Sequence, residues 1–276
     1  MLASPCRVMV QMSPPRFFLE VFPAQGCASL SKEDARHAQS VLRLKVGDSL
    51  QLFDGRGNQA EASITRMSKS SVEVDIVASD SVSRELPRKL ELIVALPKGD
   101  RQKVLIDMLV QLGVDQLTPL HCERSVAQPT DNAIERLQRS VIETCKQCGR
   151  NQLMQVNAPT SIEQLGKHLS DDAGDSVPIR TLNLFAHPYG HHRPLLELLK
   201  SSCVSQNSEP KSESYLLPNV RVIIGPEGGL SDVECEQLLR AGWNQASLGS
   251  SILRIETAAI MVAAAWAAMN SGLAYE

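Results

Sequence analysis

Two short segments of this sequence combine glycines with isolated charges in a way that could hold a ligand. The first is Arg221-Val222-Ile223-Ile224-Gly225-Pro226-Glu227-Gly228-Gly229-Leu230-Ser231. An apolar stretch runs into a glycine turn. Ser231-Asp232-Val233-Glu234 then has the form of a capping box, which fixes where a helix begins. Glycines at the end of a buried strand let a ligand approach the backbone closely. The turn lacks the Gly-Lys-Ser/Thr ending of a P-loop and the Gly-x-Gly-x-x-Gly of a dinucleotide site. Glu227 would repel phosphate at close range. A ligand with hydroxyls or positive charge fits better, and S-adenosylmethionine has both. A turn that merely starts a helix is the alternative.

The second segment is Leu248-Gly249-Ser250-Ser251-Ile252-Leu253-Arg254-Ile255-Glu256-Thr257-Ala258. It leads into an apolar, Ala-rich helix predicted over Ala259 to Asn270, which should be buried nearly all round. Arg254 and Glu256 stand just before that helix. A charge at the border of a core needs a partner or a ligand. Either Arg254 pairs with Glu256 to cap the helix, or it faces something outside the chain.

The elements that must position these segments follow from periodicity. Leu90 to Leu96 is a continuous apolar run, as expected of a strand covered on both faces. Lys103 to Leu112 has helical spacing and stops at Gly113. Val114 to Leu120, Thr181 to Ala186 and Val220 to Ile224 read as further strands, and Ala133 to Cys148 as a helix ended by Gly149. Strands alternating with helices predict an α/β domain with a mostly parallel sheet. Before it, Arg16 to about Val82 reads as β: Ser49 to Phe53, Glu61 to Ile64 and Ser71 to Val77 alternate, with Gly turns between. A helix fits Lys32 to Leu42, and a small barrel is predicted. The expected organisation is an extension over 1–15, a β domain over 16–82, and the α/β domain over 88–276. The Ser-, Glu- and Lys-rich stretch 201–217 reads as a mobile insertion.

Taken together, the two glycine segments resemble the uridine-N3 methyltransferases of 16S ribosomal RNA, in the SPOUT superfamily. The likeness runs along most of the chain. Arg16-Phe17-Phe18, His37, Val41-Leu42-Arg43-Leu44, Gly47-Asp48 and Phe53-Asp54-Gly55 resemble the family's amino-terminal part. Leu96-Pro97-Lys98-Gly99, Leu112-Gly113-Val114, Arg124-Ser125 and Gln147-x-Gly149-Arg150 follow in the family's order. The resemblance implies a PUA-like β-barrel and a SPOUT domain with a carboxyl-terminal trefoil knot. It also implies a homodimer, S-adenosylmethionine as cofactor, and 16S ribosomal RNA near the decoding centre as substrate.

By that analogy three loops would hold the cofactor: Leu184, Phe185 and His187; Ile224, Gly225, Pro226, Gly228 and Gly229; and Leu248, Gly249, Ser251, Ile252 and Leu253. Methylating N3 first requires loss of its proton. Arg254 is the candidate to stabilise the resulting anion, and Glu227 is a candidate base or cofactor contact. Arg16, His37, Arg43, Arg124 and Arg150 are candidate RNA contacts. The chain departs from the family at Met108, Gln111, Lys146 and Ser251, positions that bear on RNA affinity and dimer packing rather than on the fold. A SPOUT enzyme acting on another RNA, or a silent RNA-binding assembly factor, are the rival readings.

Composition narrows the field. Aromatic residues make up 4%, so base stacking is not the main expected grip on RNA. The net charge of -3 means that any RNA contact must come from local basic patches. Seven cysteines without framework spacing predict a reduced, cytoplasmic chain. No apolar run reaches membrane-span length, and Met1 to Pro15 lacks the apolar core of a signal peptide. It reads as an extension, with Met12 an equally plausible start. Cys145-x-x-Cys148 lacks a second pair and falls inside a helix. His187, His191 and His192 have no accompanying ligands, so no metal is expected. Arg84, Arg88 and Lys89 read as a solvated linker.

Overall fold

The structure is a computed structural model. It describes residues 14–82, 85–86, 88–125, 130–168, 181–188, 192–201 and 219–270. The chain divides into two compact units between Arg84 and Glu85.

The first unit contains β1 (Arg16–Phe18), β2 (Gly26–Ser29), α1 (Lys32–Ser40), β3 (Ser49–Phe53), β4 (Asn58–Ser68) and β5 (Ser71–Ser81). The strands pair in the order β1-β3-β4-β5-β2. Among the described residues the paired strands form one five-stranded, mostly antiparallel sheet, in the region where a small β domain is expected. Alternation along β3, β4 and β5 sends Leu50, Leu52, Ala62, Ile64, Val72 and Val74 to one face, where Phe17, Ala35 and Ala38 join them. Register shifts between Glu61/Ala62 and Ile64/Arg66 interrupt the β4–β5 ladder, as bulges that bend a long hairpin do. Ser31 caps α1 by accepting from the Asp34 amide at 3.0 Å.

The second unit alternates strand and helix. It runs β6 (Leu90–Val94), α2 (Arg101–Gln111), β7 (Gln116–His121), α3 (Asp131–Cys148), β8 (Gln155–Val156), β9 (Thr160–Ser161) and α4 (Ile162–His168). There follow β10 (Thr181–Ala186), β11 (Arg193–Pro194), α5 (Leu195–Ser201), β12 (Asn219–Ile224), α6 (Asp232–Arg240), β13 (Asn244–Ser247) and α7 (Ile255–Asn270). The strand order is β11-β13-β10-β12-β6-β7-β8, with β9 beside β7, and every pair is parallel. The run Leu90, Leu92, Ile93 and Val94 is fully buried, as are Val222 and Ile223 beside it. Burial on both faces explains why these strands read as continuous apolar runs. The connection from β10 to β12, on which the implied knot depends, passes through 189–191 and 202–218. Those residues, and with them the 201–217 insertion beyond Ser201, lie outside the described set, as does Arg84.

Two expectations are corrected here. Arg88 is not part of a solvated linker: it is 5% exposed, with its guanidinium 5.3 Å from the Trp266 ring centre. Lys89 reaches inward too, to Asp115 at 2.7 Å. Burial pushes the Asp115 carboxyl above its ordinary range, and the bonds from Lys89 and the Leu90 amide oppose the shift. The final helix starts at Ile255, not Ala259, and is not buried all round. Thr257, Met261, Ala264 and Ala268 form an exposed stripe at spacings of three and four. Within Ala259 to Asn270 the Ala-rich sequence hides this stripe, because its members there, Met261, Ala264 and Ala268, are apolar. The early start follows from Glu256 in the first turn, where an acid favours the helix dipole.

Candidate active site

Because β10, β12 and β13 are parallel neighbours, the loops leaving their carboxyl ends lie side by side. There they enclose a cleft of about 150 Å³ that opens to solvent. All of the predicted glycine-loop and Leu248 to Leu253 cofactor residues line it: Ile224, Gly225, Pro226, Gly228 and Gly229 from one side, and Leu248, Gly249, Ser251, Ile252 and Leu253 from the other, with His187 at the edge. Leu184 and Phe185 do not. They are 0% exposed in the middle of β10, where period-two alternation turns both side chains into the packed layers flanking the sheet. Their place in the wall is taken by Ala186 and Pro188, which, with Leu230, Ile255 and Ala258, the sequence reading missed. Pro188 had a visible signal, a proline two residues past the end of a buried strand.

The backbone does much of the lining. Gly249 has φ +141° and Gly229 φ +71°, conformations that side chains rarely adopt. The Gly229 amide donates to the Pro226 carbonyl at 2.8 Å, closing a tight turn. The Ser231–Glu234 capping box forms as expected, and Glu234 also accepts from the Glu123 amide at 2.9 Å, tying α6 to the loop after β7. Among the described residues, the amides of Gly228, Ser251, Ile252 and Leu253 make no hydrogen bond within the chain. Apolar walls with unspent backbone donors suit the flat heterocycle and hydroxyls of a nucleoside.

The charged residues are arranged differently from the sequence reading. Glu256 does not pair with Arg254. It pairs with Arg101, the first residue of α2, at 3.8 Å, and the same guanidinium group lies 3.5 Å from Glu227. Arg254 is exposed and, among the described residues, its side chain forms no ion pair or hydrogen bond. It sits between Leu253 and Ile255, both of which line the cleft, and its carbonyl accepts the first bond of α7 from Ala258. A cation at a helix amino terminus opposes the dipole. An unpaired arginine in that position is suited to an anion from outside the chain.

The candidate RNA contacts fall into two groups. His37 and Arg43 are exposed on the first unit, Arg43 in a left-handed conformation with φ 55°. Arg16 stacks over the Phe53 ring at 4.9 Å. Arg124 is exposed, and its Nη1 donates to the Gly228 carbonyl at 2.9 Å. Arg150 is corrected: it is 6% exposed, forms a two-pronged pair with Glu85 at 3.1 and 3.0 Å, and donates to the Val114 carbonyl at 2.7 Å. A phosphate cannot reach it.

Cys145 is buried inside α3. Burial raises the Cys122 thiol to about 11, so it is protonated near neutrality and is no nucleophile there. Among the described residues no group of His, Cys, Asp and Glu could hold a metal ion, and no helix is long and apolar enough to cross a membrane.

Residues 84–267 match the RNA methyltransferase domain family, and 30–77 match the RNA methyltransferase PUA domain. A Synechocystis protein named ribosomal RNA small subunit methyltransferase E is 30% identical, over 85% of this chain and 70% of its own length. A Legionella pneumophila structure with the bound cofactor S-adenosylmethionine superposes with a TM-score of 0.75 at 31% identity, covering 92% of this chain and 98% of that one. The ribosomal RNA small subunit methyltransferase E of Neisseria gonorrhoeae, bound to S-adenosylmethionine, superposes at 0.73 with 27% identity, covering 93% and 98%. A parallel α/β sheet with a glycine-lined cleft at its carboxyl edge, following a PUA-type unit in the sequence, is thus the architecture of an RNA methyltransferase. The chain belongs to the ribosomal RNA small subunit methyltransferase E family.

Proposed function

We propose that this protein transfers the methyl group of S-adenosylmethionine to N3 of a uridine in 16S ribosomal RNA. The observation that carries the assignment is Arg254, whose guanidinium has no partner among the described residues and which stands between Leu253 and Ile255, two residues that line the glycine cleft. Bound there, S-adenosylmethionine supplies an electrophilic methyl on a sulfonium and leaves as a neutral thioether. The residues around Gly225 to Gly229 and Leu248 to Leu253 would hold it. Arg254 faces the uridine oxygens and stabilises the anion left when N3 gives its proton to solvent. The apolar walls, Ile252 and Leu253 among them, exclude water and fix the approach in line. Glu227, already engaged by Arg101, is assigned to the cofactor side rather than to proton transfer. His37 and Arg43 on the first unit, with Arg16 and Arg124, are proposed phosphate contacts. The soluble enzyme is expected to act in the cytoplasm, where its RNA is.

Cells without this chain are expected to lose one N3-methylated uridine from 16S ribosomal RNA, regained when the chain is restored. Mass spectrometry of digested ribosomal RNA reads this directly. An unchanged modification profile would assign the enzyme to another RNA.

A homodimer is the second part of this reading. The exposed stripe on α7 includes Met261, and α2 beside it exposes Val104 and Met108, four residues apart on one face. A second copy laid on this face would cover all three. Analytical ultracentrifugation at micromolar concentration should show the dimer mass. A monomer there would reject the arrangement.

A further inference from the structure

Resting on the cofactor reading above, we infer that Arg101 and Arg124 are positioning residues that clamp the glycine loop from two sides. The loop itself is short and half-exposed, and only one internal bond, Gly229 to Pro226, closes it. Two consecutive residues of it are held from outside. Arg124, on the loop after β7, donates from Nη1 to the Gly228 carbonyl at 2.9 Å across 104 positions of sequence. Arg101, at the start of α2, sets its guanidinium 3.5 Å from Glu227 and 3.8 Å from Glu256. Glu256 has 12% of its side chain exposed and one carboxylate oxygen buried without a hydrogen bond, so Arg101 is its described compensating charge. Arg101 thereby joins the glycine loop to the first turn of α7, two residues from Arg254. Without it, two carboxylates would face each other across the rim of the cleft. A Cβ on Gly228 would lie 3.3 Å from the Arg124 Cβ and 3.4 Å from its Cδ. The glycine therefore makes room for the arginine as well as for a ligand. Neither arginine lines the cleft, so their effect is on the loop's position.

The test is calorimetric titration of the full chain with S-adenosylmethionine, beside amide hydrogen exchange of the ligand-free protein. Arg124→Ala and Arg101→Ala should each raise Kd about three- to tenfold, the range for one charge-assisted contact at a partly exposed site. The melting temperature of Arg124→Ala should stay within about 2 °C, since that side chain is exposed. Arg101→Ala leaves Glu256 without its charge partner, so it should also melt earlier, and Arg101→Lys should restore it. In either variant the Gly229 amide should exchange faster while the sheet amides do not. Arg101→Lys should recover most of the loss, because a point charge suffices for that pair. Arg124→Lys should recover less, because the carbonyl needs a donor held in place. Gly228→Val should weaken binding at least tenfold, about 1.4 kcal/mol, by displacing Arg124. Unchanged Kd and exchange in folded alanine variants would overturn the clamp. So would parallel loss of Kd and melting temperature in alanine and lysine variants alike. Wild-type protein with no affinity for S-adenosylmethionine would overturn the cofactor reading itself, a result distinct from either.

Discussion

Arg254→Ala should lower the single-turnover methylation rate by roughly 10²–10³, the loss seen when one donor to a developing oxyanion is removed. The expectation rests on three features of the site. The guanidinium has no partner among the described residues, so its removal leaves no buried carboxylate behind. Glu256 keeps Arg101 in the variant, so the start of α7 should hold. The cleft walls come from other residues, so affinity for S-adenosylmethionine should change little. Raising pH should restore part of the rate, because more uridine then loses its N3 proton unaided. The sign matters: a structural role would give a pH-independent deficit with lost stability. A stable variant that methylates at the wild-type rate would end the catalytic assignment.

Arg150→Ala should destabilise the second unit by about 3–5 kcal/mol, the cost of leaving one partner of a buried ion pair without the other. Arg150 and Glu85 expose only 7% and 10% of their side chains. Arg150 also satisfies carbonyls of Val110 and Val114 at the end of α2. Truncation therefore leaves the Glu85 carboxylate to Lys89, 3.7 Å away and half exposed, and strands a carbonyl. Urea unfolding would measure the loss. Methionine at the same position, paired with Glu85→Gln, should recover part of it, because two uncharged groups can be buried at lower cost than one unpaired charge. If Arg150→Ala unfolds like the wild type but binds ribosomal RNA less tightly, the buried pair is unimportant and the residue belongs to the RNA surface after all.

The sequence by itself determined the alternation of strands and helices, because a strand covered on both faces must be apolar throughout, as Leu90 to Leu96 is. It also determined the glycine loop and its helix start, since the Ser231–Glu234 capping box is a local device that needs no distant partner. Most of the residues that line the cleft were named by the family resemblance, which rests on the two glycine segments themselves. What tertiary structure alone decided was the pairing of charges. Glu256 stands two residues from Arg254 yet binds Arg101, which lies more than a hundred residues away in the chain. Arg150 and Arg124 look alike in sequence, each an exposed-type residue beside a loop, but one is sealed against Glu85 and the other lies over Gly228. Leu184 and Phe185 fall in a strand by their apolar run and in a cofactor loop by the family resemblance. The parallel register of β10 with β12 and β13 fixed them inside the sheet. Long side chains reach several ångströms in directions that the local sequence does not encode, so the partner of an arginine is settled only when the sheet has brought distant loops to one edge.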